Sequence, residues 1–558
     1  MTGGSKTVRL TPLRRVRGVA DAIAELRGIF TPGPGAFTGF QQAVPALLGG
    51  NPDVARQLYG GQFGFAGRML ECLPANVFGA DAPSQAWLDE LHGFAWLSHL
   101  EAGGLALYRA FARNLVMAWS EQRPASSFDA ACERLMALSR HAGFLLSGAP
   151  APFEAQFLHL VSREARRLTQ VRIKTPGAAL RQSIAVLTAA LSFRGSGPLR
   201  EEALARASAA AASVILPDGG HLDRSPRSLL ETICALVPIR EALDNLRIAI
   251  PRDLNAAIER AIPMLRMLCH GDDGLAVFHG VDHPCTAKVR AVLQRDKVAG
   301  RALAHASHSG YARMTQGDCV VILDCGQASI CDSALAFEFS DGPNRIAGSC
   351  GFPAHATPDW REAARSPAAH STVEIEDRPG GAVDSFFGRR KIRAAIAPVT
   401  ARLIASPHGT LVKAESGRHI ARLGLRHHRD LFLAASGHDF RGEDRFARAD
   451  EMEKDWPEAR FAIRFHLHPS VKASVDRKGS TILLLLPNKD AWQFSARGGL
   501  LSLEDSIYLA NAGPPRKCRQ IVIRGLAGRP DTVNWAFRKI DKQPRHAEST
   551  SQAPRLPF

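Results

Sequence analysis

The 558-residue sequence predicts a helical domain followed by an antiparallel β domain. Three observations predict this fold class. The length exceeds what one domain of roughly 150 residues needs. Apolar residues recur at helical spacing from about residue 62 to 270, and after about Gly271 they alternate with polar residues as in strands. With 45% hydrophobic and 22% charged residues, the composition is that of a globular protein and excludes a largely disordered chain.

The helical pattern starts with a strongly apolar stretch at residues 86–119, where Trp87, Leu91 and Phe94 share one helix face. Further segments rich in the helix formers Ala, Leu and Arg follow at about 126–144, 151–172, 176–193, 198–214, 226–247 and 252–269. Short breaks containing Pro, Gly and Ser separate them. Many helices with short connections predict successive hairpins, as in a bundle, a solenoid or an α/α toroid, and the pattern alone leaves these three open.

The second half reads as many short strands. Leu335, Phe337 and Phe339 alternate with small or polar residues, and Asp341-Gly342 then offers a turn. Other strand-like segments lie at 320–323, 372–375, 431–434, 461–467, 482–486 and 521–523. So many short strands with turn signals predict an antiparallel sandwich or a similar all-β domain.

The charge balance favours an anionic partner. Lys and Arg number 70 and Asp and Glu 54, which gives a net charge of +16. Nucleic acid, a membrane surface and an acidic polysaccharide are all compatible with this excess. Nucleic acid is the less favoured of these, because no aromatic platform accompanies the basic run at Arg389, Arg390, Lys391 and Arg393.

Several classes of protein have no support in the sequence. No apolar run approaches the roughly 18 residues of a membrane span, and the basic N-terminus is not followed by the apolar region of a signal peptide. Ten cysteines without a CxxC pair predict neither a disulfide scaffold nor a zinc knuckle. No GxxxxGK[ST], GxSxG or HExxH motif occurs, so ATPase, α/β-hydrolase and zincin functions lack local support.

Eight short strings, in order along about residues 55–540, resemble the heparinase II/III family, in particular a bacterial branch of heparinase II/III-like proteins. They are YGGQF at 59–63, LHGF at 91–94, LPDGGH at 216–221, HGD at 270–272, SGY at 309–311, LAFE at 335–338, AHST at 369–372 and RFHLHP at 464–469. The resemblance implies an N-terminal incomplete α/α toroid followed by an antiparallel β-sandwich. It divides the chain into an N-terminal extension (1–54), a toroid (55–285), a sandwich (286–540) and a disordered tail (541–558).

The resemblance also implies a function, that of a polysaccharide lyase acting on an acidic, uronate-containing polysaccharide by β-elimination. Such a reaction requires a group that neutralises the uronate carboxylate, a base that takes the C5 proton and an acid that protonates the leaving oxygen. The family implies the cell envelope or periplasm as location, whereas the missing signal peptide leaves the cytoplasm as the alternative.

Three residues carry the predicted catalytic roles. On the resemblance, His221 is the base or acid, Arg224 the clamp for a substrate carboxylate, and His370 a site histidine or metal ligand. The structural alternatives are a turn histidine for His221 and a solvated side chain for Arg224. We expect the three residues to converge on one cleft between the two domains.

The chain departs from the family at three positions. Ser228 stands where active members often carry a tyrosine, Cys331 where they carry a histidine, and Ser349 at an acidic metal-ligand position, while His370 is kept. Cys331 with His370 is the candidate pair for a zinc or calcium ion, and a buried core cysteine is the alternative. These changes support a second hypothesis, a non-catalytic glycan-binding or cell-envelope protein on the same fold.

Three further residues are predicted to bind substrate. Arg464, His466 and His468 lie on one face of the strand predicted at 461–467 and its extension, opposite the apolar face. That face either lines a cleft or meets solvent.

Overall fold

The computed structural model describes residues 37–295, 300–353, 357–375, 382–386, 389–393, 399–449, 459–511, 513–527 and 532–540. The predicted tail at 541–558 and the first 36 residues of the predicted extension lie outside this range. The described chain forms two compact units. The first takes the residues up to Ala210 together with Pro238–Pro251, and the second takes Ala211–Val237 together with the residues from Arg252 onward. The second unit thus includes part of the sequence that the pattern assigns to the helical domain.

The helices confirm the predicted helical half to within a few residues. In chain order they are α1 (Pro52–Tyr59), α2 (Gln85–Gly93), α3 (Leu97–Ala102), α4 (Ala106–Gln122), α5 (Phe128–Arg140), α6 (Ala142–Leu146), α7 (Ala151–Thr169), α8 (Pro176–Ser192), α9 (Gly197–Val214), α10 (Pro226–Asn245), α11 (Arg252–Met267), α12 (Thr286–Arg295), α13 (Pro358–Arg365) and α14 (Ile420–Leu423). Local chemistry sets several starts. The hydroxyls of Ser84 and Ser127 accept the backbone N–H of Trp87 and Ala130 at 3.2 and 3.1 Å, which caps α2 and α5.

Two short antiparallel pairs lie in the first part of the chain, β1 (Gly39–Phe40) with β4 (Phe193–Arg194) and the hairpin of β2 (Gln62–Phe65) with β3 (Arg68–Glu71). The others are β5 (His305–Ala306), β6 (Tyr311–Gln316), β7 (Cys319–Asp324), β8 (Phe337–Asp341), β9 (Asn344–Gly348), β10 (Val373–Ile375), β11 (Ala382–Phe386), β12 (Arg389–Arg393), β13 (Val399–Ser406), β14 (Gly409–Ser416), β15 (Leu425–Ala434), β16 (Asp439–Arg448), β17 (Arg460–Leu467), β18 (Lys472–Val475), β19 (Thr481–Leu485), β20 (Ala491–Arg497), β21 (Leu500–Tyr508), β22 (Arg516–Leu526) and β23 (Thr532–Ile540).

Two large antiparallel sheets organise the second unit, as the sequence predicts. In the described chain one sheet runs β21-β22-β17-β9-β8-β7-β6-β5, with β10 also paired to β17. The other runs β13-β14-β15-β16-β23-β20-β19-β18. The two sheets share one apolar core, because side chains from both interdigitate. Phe337 stacks on Trp535 at 5.4 Å between ring centres, and Phe339 meets Trp492 edge-on at 5.2 Å.

Strand β8 is buried along its whole length. Phe337 and Phe339 face the shared core, so Glu338 and Ser340 project to the other side of the sheet. Both polar residues are nevertheless buried, because the segment around His270 covers them. This burial places a layer of ionisable groups on the outer side of the first sheet.

Within the described residues, no helix combines the length and the apolar character that crossing a membrane requires.

Candidate functional site

The string LPDGGH forms a tight turn ahead of α10. The Asp218 carboxylate accepts the backbone N–H groups of His308 and Ser309 at 2.8 and 2.7 Å. Gly219 has φ +86°, and a Cβ there would lie 2.0 Å from the Arg260 carbonyl oxygen. Only glycine fits this left-handed, crowded position. The turn therefore fixes the residues that follow it, including His221 and Arg224, against the β-rich part of the second unit.

His221 and Asp223 form a short pair at the end of this turn. His221 Nδ1 lies 2.5 Å from Asp223 Oδ1, and the Ser228 hydroxyl donates to Asp223 Oδ2 at 2.6 Å. Burial acts to raise the pKa of Asp223, but hydrogen bonds from His221, Ser228 and the Ser225 N–H outweigh it and hold the pKa below its usual value. The side chains of His221 and Asp223 are 11% and 37% exposed, so the pair reaches solvent.

Arg224 is buried and bound to its own chain. Its Nε donates to the Ser309 carbonyl at 2.7 Å, and its terminal nitrogens donate to the carbonyls of Gly310 and Gln327 and to Asp324. Four of its five N–H groups are thus used. Its backbone sits at φ +62°, and the Tyr311 hydroxyl donates to its carbonyl at 2.6 Å. The predicted role of Arg224 as a clamp stays a prediction, but the guanidinium is engaged in a structural ion pair.

Asp324 is the carboxylate that pairs with Arg224 and with two further side chains. Its second oxygen lies 2.9 Å from His279 Nε2 and accepts the Ser333 hydroxyl at 2.6 Å. Burial acts to raise the pKa of Asp324, but Arg224 and His279 hold it far below the usual range. We call Arg224, Asp324, His279 and Ser333 the Arg224 cluster. Each member is buried, so the cluster holds a satisfied internal charge.

Cys331 and His370 are also buried. The Cys331 N–H donates to His279 Nδ1 at 3.3 Å, and burial raises the pKa of its thiol to about 12. His370 Nδ1 lies 3.0 Å from the Ser349 hydroxyl, while its Nε2 has no hydrogen-bond partner. Burial, helped by His279 and His466, lowers the pKa of His370 to about 3, so its ring is neutral.

The predicted zinc or calcium site does not fit these residues. Across the described ranges, no group of three or more His, Cys, Asp or Glu side chains is placed to hold an ion. A serine hydroxyl at position 349 fills the hydrogen-bonding role beside His370.

The predicted substrate-binding residues separate. The Arg464 guanidinium donates to Glu374 at 3.1 and 3.2 Å. His466 is buried between the Ser506 hydroxyl and the Ala368 carbonyl, each at 2.8 Å, and burial lowers its pKa to about 4. His468 follows the end of β17, and its ring meets Tyr508 edge-on at 5.1 Å.

His466 and His468 line a cavity with residues that the sequence reasoning gave no role. His270 binds Ser340 at 2.8 Å and Glu338 at 3.1 Å, and Arg345 makes a two-point contact with Asp272 at 2.9 and 3.1 Å. The cavity measures about 20 Å³, enough for a water molecule and too small for a sugar ring. The strings HGD and LAFE contain His270 and Glu338, and RFHLHP contains His466 and His468, so three of the eight strings meet at this cavity.

The predicted residues therefore lie at two connected sites and in one ion pair. His221 and Arg224 lie in one turn, next to Asp324. His279 lies between Asp324 and the Cys331 N–H, and both His279 and Asp324 act on the pKa of His370. His370 in turn contacts Ser349 at the edge of the small cavity that His466 and His468 line. Arg464 pairs with Glu374 on the neighbouring strand.

Comparisons with known proteins agree with this architecture. The family described as Heparinase II/III-like, C-terminal, matches residues 298–536. The solved structure of Heparinase III superimposes with a TM-score of 0.70 at 12% identity, covering 93% of this chain and 89% of that one. A mutant of the heparan sulfate lyase HepC from Pedobacter heparinus gives 0.63 at 13% identity, covering 94% and 88%. These matches confirm the predicted α/α toroid followed by a β-sandwich.

A curated relative is more similar in sequence. FtsZ-localized protein C of Caulobacter vibrioides (strain NA1000 / CB15N) is 29% identical over 493 residues, which cover 84% of each chain.

Proposed function

The chain carries a heparinase II/III-like C-terminal domain within the heparinase III fold, and on this premise we propose that it is a binding protein without lyase turnover that localises with FtsZ. One observation carries the proposal. The guanidinium predicted to clamp a substrate carboxylate is held by Asp324 and three backbone carbonyls of its own chain.

The remaining groups of the predicted lyase site support the same conclusion. A general acid or base works best with a pKa near the operating pH. The pKa of His370 is about 3 and that of the Cys331 thiol about 12, so neither group exchanges a proton near neutrality. Ser228 offers a hydroxyl that Asp223 already binds, where active relatives often have a phenol.

FtsZ localisation comes from the curated relative, whose similarity covers 84% of both chains. The test is a fluorescent fusion of the full chain, imaged together with labelled FtsZ in the source cell. We expect coincident signals. A fusion that stays diffuse while FtsZ is assembled would contradict the localisation.

The absence of turnover has its own test. The full chain is incubated with heparin, heparan sulfate, alginate and glucuronate polymers, and ultraviolet absorbance of the unsaturated uronate product is followed. We expect no product, and we expect binding to an acidic glycan on an array because the chain carries a charge of +16. Sustained product formation would overturn the proposal.

One observation favours the second candidate, a lyase acting on an acidic polysaccharide by β-elimination. The His221–Asp223 pair reaches solvent. In this pair the imidazole is the candidate base, and the carboxylate bound to it fixes its orientation. If product forms, His221→Ala should abolish it, whereas His408→Ala, at an exposed position, should leave the rate unchanged. Turnover that survives His221→Ala would exclude this site as the source.

A further inference from the structure

Asp282, His283 and Cys285 form a chain of side-chain contacts just before α12, and none of the three belongs to the predicted site. Cys285 Sγ lies 3.4 Å from His283 Nε2, and His283 Nδ1 lies 2.8 Å from Asp282 Oδ1. A thiol beside an imidazole that a carboxylate orients is the arrangement that activates a nucleophilic sulfur. From this geometry we propose that Cys285 is a peroxide-reactive thiol, an oxidation site of this protein.

Asp282 and Arg227 fix the orientation of the His283 imidazole on the side away from the sulfur. Arg227 on α10 pairs with Asp282, and its Nε also donates to Glu231 at 2.8 Å. Burial acts to raise the pKa of Asp282, but His283 and Arg227 hold it at about 2, so the carboxylate stays charged. The hydrogen bonds to Asp282 and Cys285 raise the pKa of His283 to about 9. At neutral pH the ring is therefore an imidazolium, and both of its nitrogens donate.

The Cys285 sulfur lies next to this positively charged ring. Because Nε2 carries a proton, it donates to Sγ, and the Cys285 thiol itself donates to the His283 carbonyl oxygen at 3.3 Å. Cys285 also immediately precedes the ten-residue helix α12, and its carbonyl accepts the Val289 N–H at 3.1 Å. The helix N-terminus adds a second positive field at the sulfur. The groups that face the sulfur are thus the His283 ring and carbonyl oxygen, the helix amides and, behind the ring, Asp282 with Arg227.

The backbone holds this geometry at a cost. Cys285 has φ +54°, a left-handed conformation that is uncommon for a non-glycine residue. Such conformations persist where the surrounding structure imposes them, and they concentrate at functional positions. The side chain of His283 is 40% exposed and Cys285 is 8% exposed, so the imidazole side of the pair is open to solvent.

The reaction balances with hydrogen peroxide as the oxidant. The thiolate attacks one peroxide oxygen, the S–O bond forms and the O–O bond breaks. The departing hydroxide takes the proton from the His283 imidazolium and leaves as water. The sulfur is oxidised to a sulfenic acid and the peroxide is reduced.

The test uses the full chain at pH 7 with limiting hydrogen peroxide and a dimedone-type trap for sulfenic acid, read at each cysteine by mass spectrometry. We expect Cys285 to be labelled at least tenfold faster than Cys518, which is more exposed and whose thiol pKa burial raises. His283→Gln should lower the Cys285 rate about tenfold. His408→Gln, at an exposed histidine elsewhere in the second unit, should leave it unchanged.

A second readout separates activation from mere access. The His283 imidazolium, whose pKa is about 9, supplies the proton that the departing hydroxide takes. The rate at which Cys285 reacts with peroxide should therefore fall, relative to that of Cys518, as the pH rises from 8 to 10, and His283→Gln should remove that fall. Labelling of Cys285 no faster than that of Cys518, or the same pH profile for both cysteines in the wild-type chain, would overturn the proposal even if the variant folds poorly.

Discussion

Replacing Arg224 by methionine separates a structural role from a substrate-binding role. Methionine keeps much of the volume but removes the charge and the donors to Asp324 and to three carbonyls. Breaking a buried ion pair by removing one partner costs about 3–5 kcal/mol, since the other charge stays buried and unpaired. We therefore expect the equilibrium constant for unfolding to rise by about two to four orders of magnitude.

The measurement is urea denaturation of the full chain, and Arg290→Met is the matched control. Arg290 also pairs with an aspartate, Asp273, at 2.9 Å, but the two side chains are more than half exposed. Exposed pairs contribute about 0–1 kcal/mol, so the control should shift the free energy of unfolding by no more than that.

A double-mutant cycle with Asp324→Asn completes the experiment. If the two residues stabilise each other, the double variant should lose less than the sum of the single losses, with a coupling of about 1–3 kcal/mol. Additive losses, or a cost of Arg224→Met no larger than that of Arg290→Met, would refute a structural ion pair and restore Arg224 as a residue free to bind substrate.

Three further predictions concern the same unit. The pKa of His370 is about 3 in the folded chain and near 6.5 in the unfolded chain, so folding stability should fall as the pH drops from about 6.5 toward 3, and His370→Gln should flatten that fall in urea titrations at pH 7 and 5. Phe339→Ala, in the shared core, should lower the free energy of unfolding by about 3–5 kcal/mol, against less than about 1 kcal/mol for the exposed Leu483→Ala. Elemental analysis should find no stoichiometric zinc, and Cys331→Ala should not change the metal content.

The sequence predicts the helices and strands of this fold well because the apolar residues of each buried face recur at a regular, short spacing. The apolar residues of helices recur every three or four positions, and those of strands every second position. The two glycines that follow Asp218 likewise predict the turn at this position. These signals involve neighbours in sequence, so no knowledge of the packing is needed to use them.

The partners of the polar residues could not be predicted in the same way. Arg224 and Asp324 are 100 residues apart, and His270 and Glu338 are 68 apart. Composition and periodicity show that each residue is polar but not that its charge is neutralised on a distant strand. The sequence therefore favours solvent or substrate as the partner of Arg224, whereas the fold supplies Asp324.

The two departures from the family at positions 331 and 349 have a common physical consequence. A carboxylate at position 349 would be a buried charge beside His370, and burying an unpaired charge is costly without a metal or counter-ion. With serine at 349 and a thiol at 331, the groups at positions 331, 349 and 370 are all neutral, since burial keeps both the His370 ring and the Cys331 sulfur uncharged at neutral pH. Losing the acidic ligand alone would leave a metal poorly held, and losing the metal alone would leave a carboxylate unpaired. When both the acidic ligand and the metal are lost, Ser349 and His370 form a hydrogen bond, and the buried groups at these positions need no ion.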